Sequence, residues 1–370
     1  MSGNMLGKRF MVLSFGESHG RCIGAVVDGC PAGLRLSEQD IQALLDLRRP
    51  GQSIVTTQRK EEDKVEILSG VFNGYTTGAP ITMLIWNKDI ISKDYERVLE
   101  TPRPSHADYF ARLKYGGFND YRGGGRFSGR ITAGYVMAGA IALKLLRETL
   151  KIEVLAYTKR IAGIEARPLP IETIREKRLA NEVRCPDEEA AEDMKRAILE
   201  ARSSGDSVGG IVECIALNVP PCLGEPVFDS LDSDLSKALF SIPAVKGVEF
   251  GAGFKAADMR GSEHNDPLGL VDGVVRPLTN NAGGIVGGLS TGREIVVRVA
   301  FKPAASISKP QQTINVKKRG VEEVVVTGRH DPCVIPRAVP IVESVVGIVL
   351  ADHAIRAGLI PPVLKGEASS

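Results

Sequence analysis

SGVFNGYTTGAPITMLIWNK, residues 69–88, lies over GGIVGGLSTGREIVVRVAFK, residues 283–302, with glycines, a Thr-Gly turn and a strand-forming run at matching places. Each copy is followed by a long irregular basic loop and then by an apolar helix led by arginine. Those helical stretches are RITAGYVMAGAIALKLL from Arg130 and RAVPIVESVVGIVLADH from Arg337. Glycine and threonine pairs punctuate turns, and β-branched runs bounded by them read as strands. The pair therefore predicts a duplicated α+β unit. Gly-Thr turns before strands are common chemistry, so coincidence is the alternative.

Working outward, strands are expected at Phe10–Ser14 and Cys22–Asp28, on either side of a Gly-Glu-Ser-His-Gly turn. Ser37, with Asp40 three residues on, signals the start of a helix whose apolar stripe is Ile41, Leu44 and Leu45 and which ends near Arg48. Further strands are expected at Val65–Phe72, Ile81–Trp86, Gly210–Val219 and Ile295–Phe301. Further helices are expected at Ala107–Tyr115, Ile131–Leu150, Glu188–Arg202 and Arg337–Ala357, the last with Pro336 and Pro340 suited to its first turns. No regular βαβ alternation is present. Nor does a linker divide the 370 residues, so one large domain over residues 1–358 is expected, with a frayed tail at 359–370.

With 43% hydrophobic and 25% charged residues the chain is an ordinary globular protein. Its 47 basic residues nearly balance 45 acidic ones, which gives no global attraction to nucleic acid or an anionic membrane, so any anion binding has to be local. Aromatic content of 5% argues against a base-stacking platform for nucleic acid. Six scattered cysteines form no CxxC pair and no metal-ligand spacing, so reduced thiols in a cytoplasmic protein without a metal are expected. MSGNMLGKRFMVLSFGESHG lacks the apolar core and cleavage site of an export signal. The apolar runs Tyr135–Leu146 and Val342–Ala351 are shorter than the roughly 20 residues a bilayer requires and read as buried helices, not membrane spans.

Chemistry concentrates in a few stretches. Of five histidines, His19 in GESHG, His106 in RPSHADY and His330 in GRHD lie in polar, Gly- or Arg-rich segments, where an imidazole is suited to moving protons. For His19 alone, a turn histidine bonded to nearby backbone is the other reading. RGGGRFSGR, residues 122–130, sets three glycines among Arg122, Arg126 and Arg130, which leaves backbone N–H groups uncovered for an anion just before a helix start. A structural glycine hinge is the alternative. Neither the Walker loop nor the dinucleotide GxGxxG pattern is matched. Arg48, Arg103, Arg329 and Arg337 recur in similar motifs, and converging guanidinium groups imply a ligand with several negative charges. Arg49 and Arg122 read as solvated turn residues. Asp331, flanked by positive charge in GRHDPC, reads either as an ionised base or as a turn former. KPAASISKPQQTI, residues 302–314, has a composition suited to lying against a phosphate.

GESHG with DGCPAG, RGGGRFSGRITA and GRHDPC resemble the three signature segments of the chorismate synthase family. RRPGQS, SGVFNGYTTGAPI, RPSHADY, GEPVFD, AVKGVEFG, RGSEHND and NNAGGIVGG follow in family order, so the resemblance runs from about Gly7 to Ala357. It implies an anti 1,4-elimination that removes the 3-phosphate and a C6 hydrogen of 5-enolpyruvylshikimate 3-phosphate, with reduced FMN as a cofactor and no net redox change. It also implies a β-α-β sandwich of two similar intertwined halves and assembly as a homotetramer.

By resemblance His19 serves the departing phosphate, His106 the flavin and Asp331 the C6 proton, with Ser18 and Ser128 ordering the site. Substrate would lie on Arg48, Arg103, Arg130, Arg329 and Arg337. FMN would lie on Arg126, Phe127, Ser128, Pro243, Ala244, Gly287, Lys302, Pro303, Ala304, Ala305, Ser306 and Arg329. Two positions depart from the family pattern, Ile54 where many relatives place an arginine and Phe127 where bacterial members often carry serine. No nicotinamide domain is evident, which points to an external flavin reductase, with NADPH as the indirect electron source. An NADPH-dependent flavin reductase using the same loops is the rival enzyme reading.

Overall fold

The computed structural model describes residues 3–51, 62–88, 97–271, 273–326 and 331–364. Two five-stranded antiparallel sheets enclose a layer of helices. The first sheet runs in the order Met5–Leu6, Met11–Gly16, Cys22–Asp28, Ile81–Trp86, Val65–Ile67. The second runs Ile164–Glu165, Glu153–Ile161, Gly210–Leu217, Ile295–Phe301, Val245–Phe250. Between them lie Thr132–Leu150 and Ile335–Arg356, packed on each other, the former toward Cys22–Asp28 and the latter toward Glu153–Ile161 and Gly210–Leu217. Glu38–Arg48 and Leu231–Phe240 complete the layer.

The alternation that defines a half-buried strand is plain in Ile295–Phe301, where Ile295, Val297, Val299 and Phe301 are buried and the residues between them are half-buried. The two central helices are apolar on nearly every face because both faces meet protein. They are long and apolar enough to cross a membrane by length and composition, but 72% and 94% of their apolar windows are buried inside the protein. Their contact is close because side chains are missing there: a Cβ added to Gly139 would lie 2.2 Å from the Ser344 Cβ.

The repeat read in the sequence is a structural repeat. Residues 71–72 pair with 75–76 and residues 285–286 with 289–290, each hairpin leading into the strand second from one edge of its sheet, at 81–86 or 295–301. Gly70 and Gly284 both have φ near +80°, as do Gly78 and Gly292. Thr76 Oγ1 donates to Pro31 O (2.7 Å) and accepts from Leu34 N (2.9 Å), while Ser290 Oγ donates to Pro220 O (2.5 Å) and accepts from Leu223 N (2.8 Å). Four strands of each sheet follow the same order, 11–16, 22–28, 81–86, 65–67 against 153–161, 210–217, 295–301, 245–250, and each set leads to one central helix. The fifth strand, by contrast, precedes its neighbour in the first half and follows it in the second.

Differences from the sequence expectation have local causes. The run Val65–Phe72 is two elements, because the positive φ of Gly70 turns the chain out of the sheet into the hairpin. Glu153–Ile161 and Val245–Phe250 have no counterpart in that expectation. The first follows the Thr132–Leu150 helix through a left-handed Lys151 (φ +58°), with no glycine or proline to announce the change. Residues 359–364, expected to fray, dock instead: Ala32 N donates to Pro362 O, Leu364 N donates to Ala32 O, and Ile360 is buried.

Candidate active site

A cavity of roughly 540 Å³ opens where the loops after Ile81–Trp86 and Ile295–Phe301 meet the starts of the two central helices. One half contributes Arg48, Arg103, Ser105 to Ala107, Gly123 and Arg126 to Thr132, and the other contributes Phe240 to Lys246, Phe301 to Ser306, Asp331 and Arg337. Among the described lining residues seven lysines and arginines accompany a single carboxylate, Asp331. Such a wall selects polyanions. Ile242, Pro243, Ala244, Val334 and Ile341 add an apolar stretch.

The triple glycine brings two histidines to this wall. Gly123, Gly124 and Gly125 all have positive φ, at 60°, 83° and 52°. A Cβ on Gly123 would lie 2.3 Å from His19 Cδ2 and 2.8 Å from Ser18 Oγ, and one on Gly124 would lie 3.0 Å from His106 Cε1. Only glycine allows this approach. Gly125 O accepts from Ser18 N (3.3 Å), and Ser128 Oγ donates to Ser18 Oγ (3.1 Å), which joins the GESHG turn to the loop. The sequence assigns these glycines to an anion cradle, whereas the close contacts of Gly123 and Gly124 are with the histidines and that of Gly125 is with the Asp120 carbonyl.

Two buried carboxylates hold the arginines in place. Asp63, with no exposed side-chain surface, accepts from Arg48 Nη1 (3.1 Å) and from Arg130 Nη1. Burial opposes its ionisation, but Arg48 and Arg130 hold it below the usual carboxylate range. Arg48 also donates to Gly129 O (2.9 Å), and Arg130 Nε to Asn87 Oδ1 (3.1 Å), whose amide donates to Glu17 O and Gly20 O. Asp108 accepts from Arg103 Nε (2.8 Å) and lies 2.6 Å from His106 Nδ1. Arg103 Nη1 reaches Ser306 Oγ (3.1 Å) in the other half.

On the opposite wall Asp331 pairs with Arg337, and Arg337 Nε donates to Arg48 O (3.1 Å). Arg184 lies behind them, donating to Pro336 O (2.6 Å) and to Leu47 O, so it joins the end of one helix to the start of another. Burial, with Arg178 and Arg337 nearby, lowers its pKa to about 10. Lys302 Nζ donates to Ser105 O (3.0 Å); burial and then Lys246 push its pKa down.

Arg48, Arg103, His106, Arg130, Asp331 and Arg337 all line the one cavity, with Phe127, Ser128, Pro243, Ala244 and Lys302 through Ser306. Ser18 and His19 stand directly behind Gly123. Arg126 also lines the cavity, but its guanidinium donates to Gly16 O, Ser14 and Asn4 and thereby braces the first sheet. Gly287 lies in the hairpin turn at 285–290 and is not among the lining residues. Arg329, His330 and Ile54 lie outside the described residues. Arg122 and Arg49 are half-exposed beside Asp120 and Asp46, as solvated turn residues should be. Asp63 and Asp108 were missed. Asp63 sits in the charge run EEDK, which reads as surface, while the His-Ala-Asp spacing of 106–108 was a usable signal for Asp108.

A family model described as chorismate synthase matches residues 10–355. The chain is 58% identical to the chorismate synthase of Korarchaeum cryptofilum over 96% of its own length and 98% of that protein's. It is 54% identical to the chorismate synthase of Dehalococcoides mccartyi over 98% of its length and 99% of that protein's. A solved structure titled "Crystal Structure of Chorismate Synthase" superimposes with a TM-score of 0.73 at 32% identity, covering 94% of this chain and 91% of the other. Sequence, fold and the whole span of the match agree: the chain belongs to the chorismate synthase family.

Proposed function

We propose that the cavity holds reduced FMN beside 5-enolpyruvylshikimate 3-phosphate and that the substrate loses phosphate there to give chorismate. The observation that carries this reading is the convergence of Arg48, Arg103, Arg130 and Arg337 on one wall system with His106, Asp331 and, behind Gly123, His19. Substrate and cofactor together bring two phosphates and two carboxylates, whose mutual repulsion in a water-poor site requires fixed countercharge. The residues fit the cofactor: the apolar stretch from Ile242 to Ala244 suits a ring system, and Lys302 with Ser306 suits a phosphate. When bound, the reduced flavin lends electron density to the elimination and recovers it, so no net oxidation occurs.

The residues divide the remaining work. Arg48, Arg130 and Arg337, together with Arg329 and Arg103, bind the substrate anions and exclude water by pairing. His19 donates a proton to the departing phosphate as the C3–O bond breaks. His106 stabilises negative charge at the flavin. Asp331 takes the C6 proton, so proton and phosphate leave from different carbons and the diene closes the electron count. An external NADPH-drawing reductase would supply the reduced flavin. The protein works in the cytoplasm, in keeping with six unpaired cysteines. It works as a homotetramer, for which the exposed apolar hairpin with Leu268, Leu270 and Val275 offers a contact surface.

His106→Ala and Asp331→Ala are each expected to lower turnover about 100-fold or more, the range typical of a lost charge-stabilising donor for His106 and of a lost proton-transfer group for Asp331, while still binding oxidised FMN by fluorescence titration. Wild-type turnover in either variant removes that residue from its role.

A further inference from the structure

We propose that Asp108 is the positioning residue of His106, fixing the proton on Nδ1 and presenting Nε2 to the cavity. This rests on the reading of His106 as the group that serves the bound flavin. Asp108 is the first residue of the Asp108–Lys114 helix, two residues after His106, and its side chain is 4% exposed. All of its described partners are donors. Arg103 donates from Nε to Oδ2 and from Nη2 to Oδ1, both at 2.8 Å, and its backbone N–H donates to Oδ2 at 3.2 Å. His106 Nδ1 lies 2.6 Å from Oδ1.

Burial alone would favour a protonated carboxyl, but the hydrogen bonds from Arg103 and His106 overcome it and hold Asp108 well below the usual carboxylate range. An ionised carboxylate only accepts, so the ring nitrogen facing it must carry hydrogen. Arg103 Nη2 lies 3.1 Å from Nδ1 and 3.2 Å from Nε2, and a guanidinium only donates. With Nδ1–H given to Asp108 it is Nε2 that accepts in the neutral ring, and protonation at Nε2 gives the cationic ring that serves negative charge. Its surroundings agree, because His106 lines the cavity and the Cε1–Nε2 edge of its ring lies over Gly124, where a Cβ would stand 3.0 Å from Cε1 and 3.3 Å from Nε2. Ser105 holds a left-handed φ of +57° immediately before the histidine, and Arg103 ties the same carboxylate to Ser306 across the cavity. One acid thus sets both the tautomer and the plane of the imidazole, the arrangement by which an orienting carboxylate serves a histidine elsewhere in enzymology.

The test is the pair of imidazole 15N shifts of His106 in histidine-labelled full-length protein, assigned by comparison with His106→Asn. The neutral ring is expected to keep its proton on Nδ1 in the wild type and to lose that single form in Asp108→Asn. With reduced FMN, Asp108→Asn is expected to turn over about 10- to 100-fold more slowly, the usual cost of losing an orienting partner. A wild-type ring protonated on Nε2 overturns the proposal even if Asp108→Asn fails to fold, and so does an Asp108→Asn enzyme of wild-type rate. Wild-type protein with the Nδ1 proton in place but without turnover contradicts the functional reading alone.

Discussion

At the scale of single residues the site depends on what is absent. Gly123 and Gly124 hold conformations and contacts that any side chain would disrupt, since a methyl at Gly123 meets the His19 ring at 2.3 Å in a left-handed backbone. Gly123→Ala is therefore expected to lower turnover at least about 100-fold, as expected when reacting groups are displaced by about 1 Å. The fold should survive, which circular dichroism and anaerobic kinetics measured on the same sample would establish. An alanine enzyme of normal rate would mean that His19 need not stand where it does. The glycines, the two histidines and most arginines were legible because their types are costly and unusual together. Asp63 and Asp108 were not, because sequence shows charge but not burial. The commitment of Arg126 to the strand ends at Ser14 and Gly16 was equally hidden, since it depends on which strand passes behind the loop.

Among elements, the duplication has an energetic consequence. Thr76 and Ser290 each use one buried hydroxyl to satisfy a carbonyl and an N–H of the loop that follows the matching strand of their own half. Thr76→Val and Ser290→Ala each orphan a donor and an acceptor, and each is expected to cost about 1–3 kcal/mol. Denaturant titrations that found a cost at one position and none at the other would show that the two turns are alike in shape only. The elements easiest to read were those with a bounded pattern, such as Ile81–Trp86, Ile295–Phe301 and the capped Glu38–Arg48 helix, where Asp40 returns its carboxylate to Ser37 N–H at 2.9 Å. Glu153–Ile161 escaped because no glycine or proline separates it from the preceding helix, and packing against Gly210–Leu217 decides its conformation.

For the whole molecule, buried ion pairs set the response to acid. Asp63, Asp108 and Asp187 are all held below the usual carboxylate range, Asp187 at about 2 chiefly through its hydrogen bond with Arg167. Each group is more readily protonated in the unfolded chain, so its contribution is complete above the ordinary carboxyl value near 4 and is lost as the pH falls toward about 2. His353, pushed down by burial despite its bond to Asp234, adds an earlier loss as the pH falls below about 6.5. Thermal midpoints are expected to decline gently from about pH 6.5 and steeply between about 4 and 2; midpoints that rise on acidification contradict these ion pairs.

The same long-range joining creates the site. Both halves supply its cationic groups, and the cavity exists only because Arg48, Arg103 and residues 126–132 of one half meet residues 240–246, 301–306, Asp331 and Arg337 of the other. The most direct test is phosphate release from 5-enolpyruvylshikimate 3-phosphate by the full-length protein with dithionite-reduced FMN under anaerobic conditions. Stoichiometric phosphate and chorismate with no consumption of reduced flavin is the expected result, and intact substrate beside steadily oxidised flavin would contradict the account.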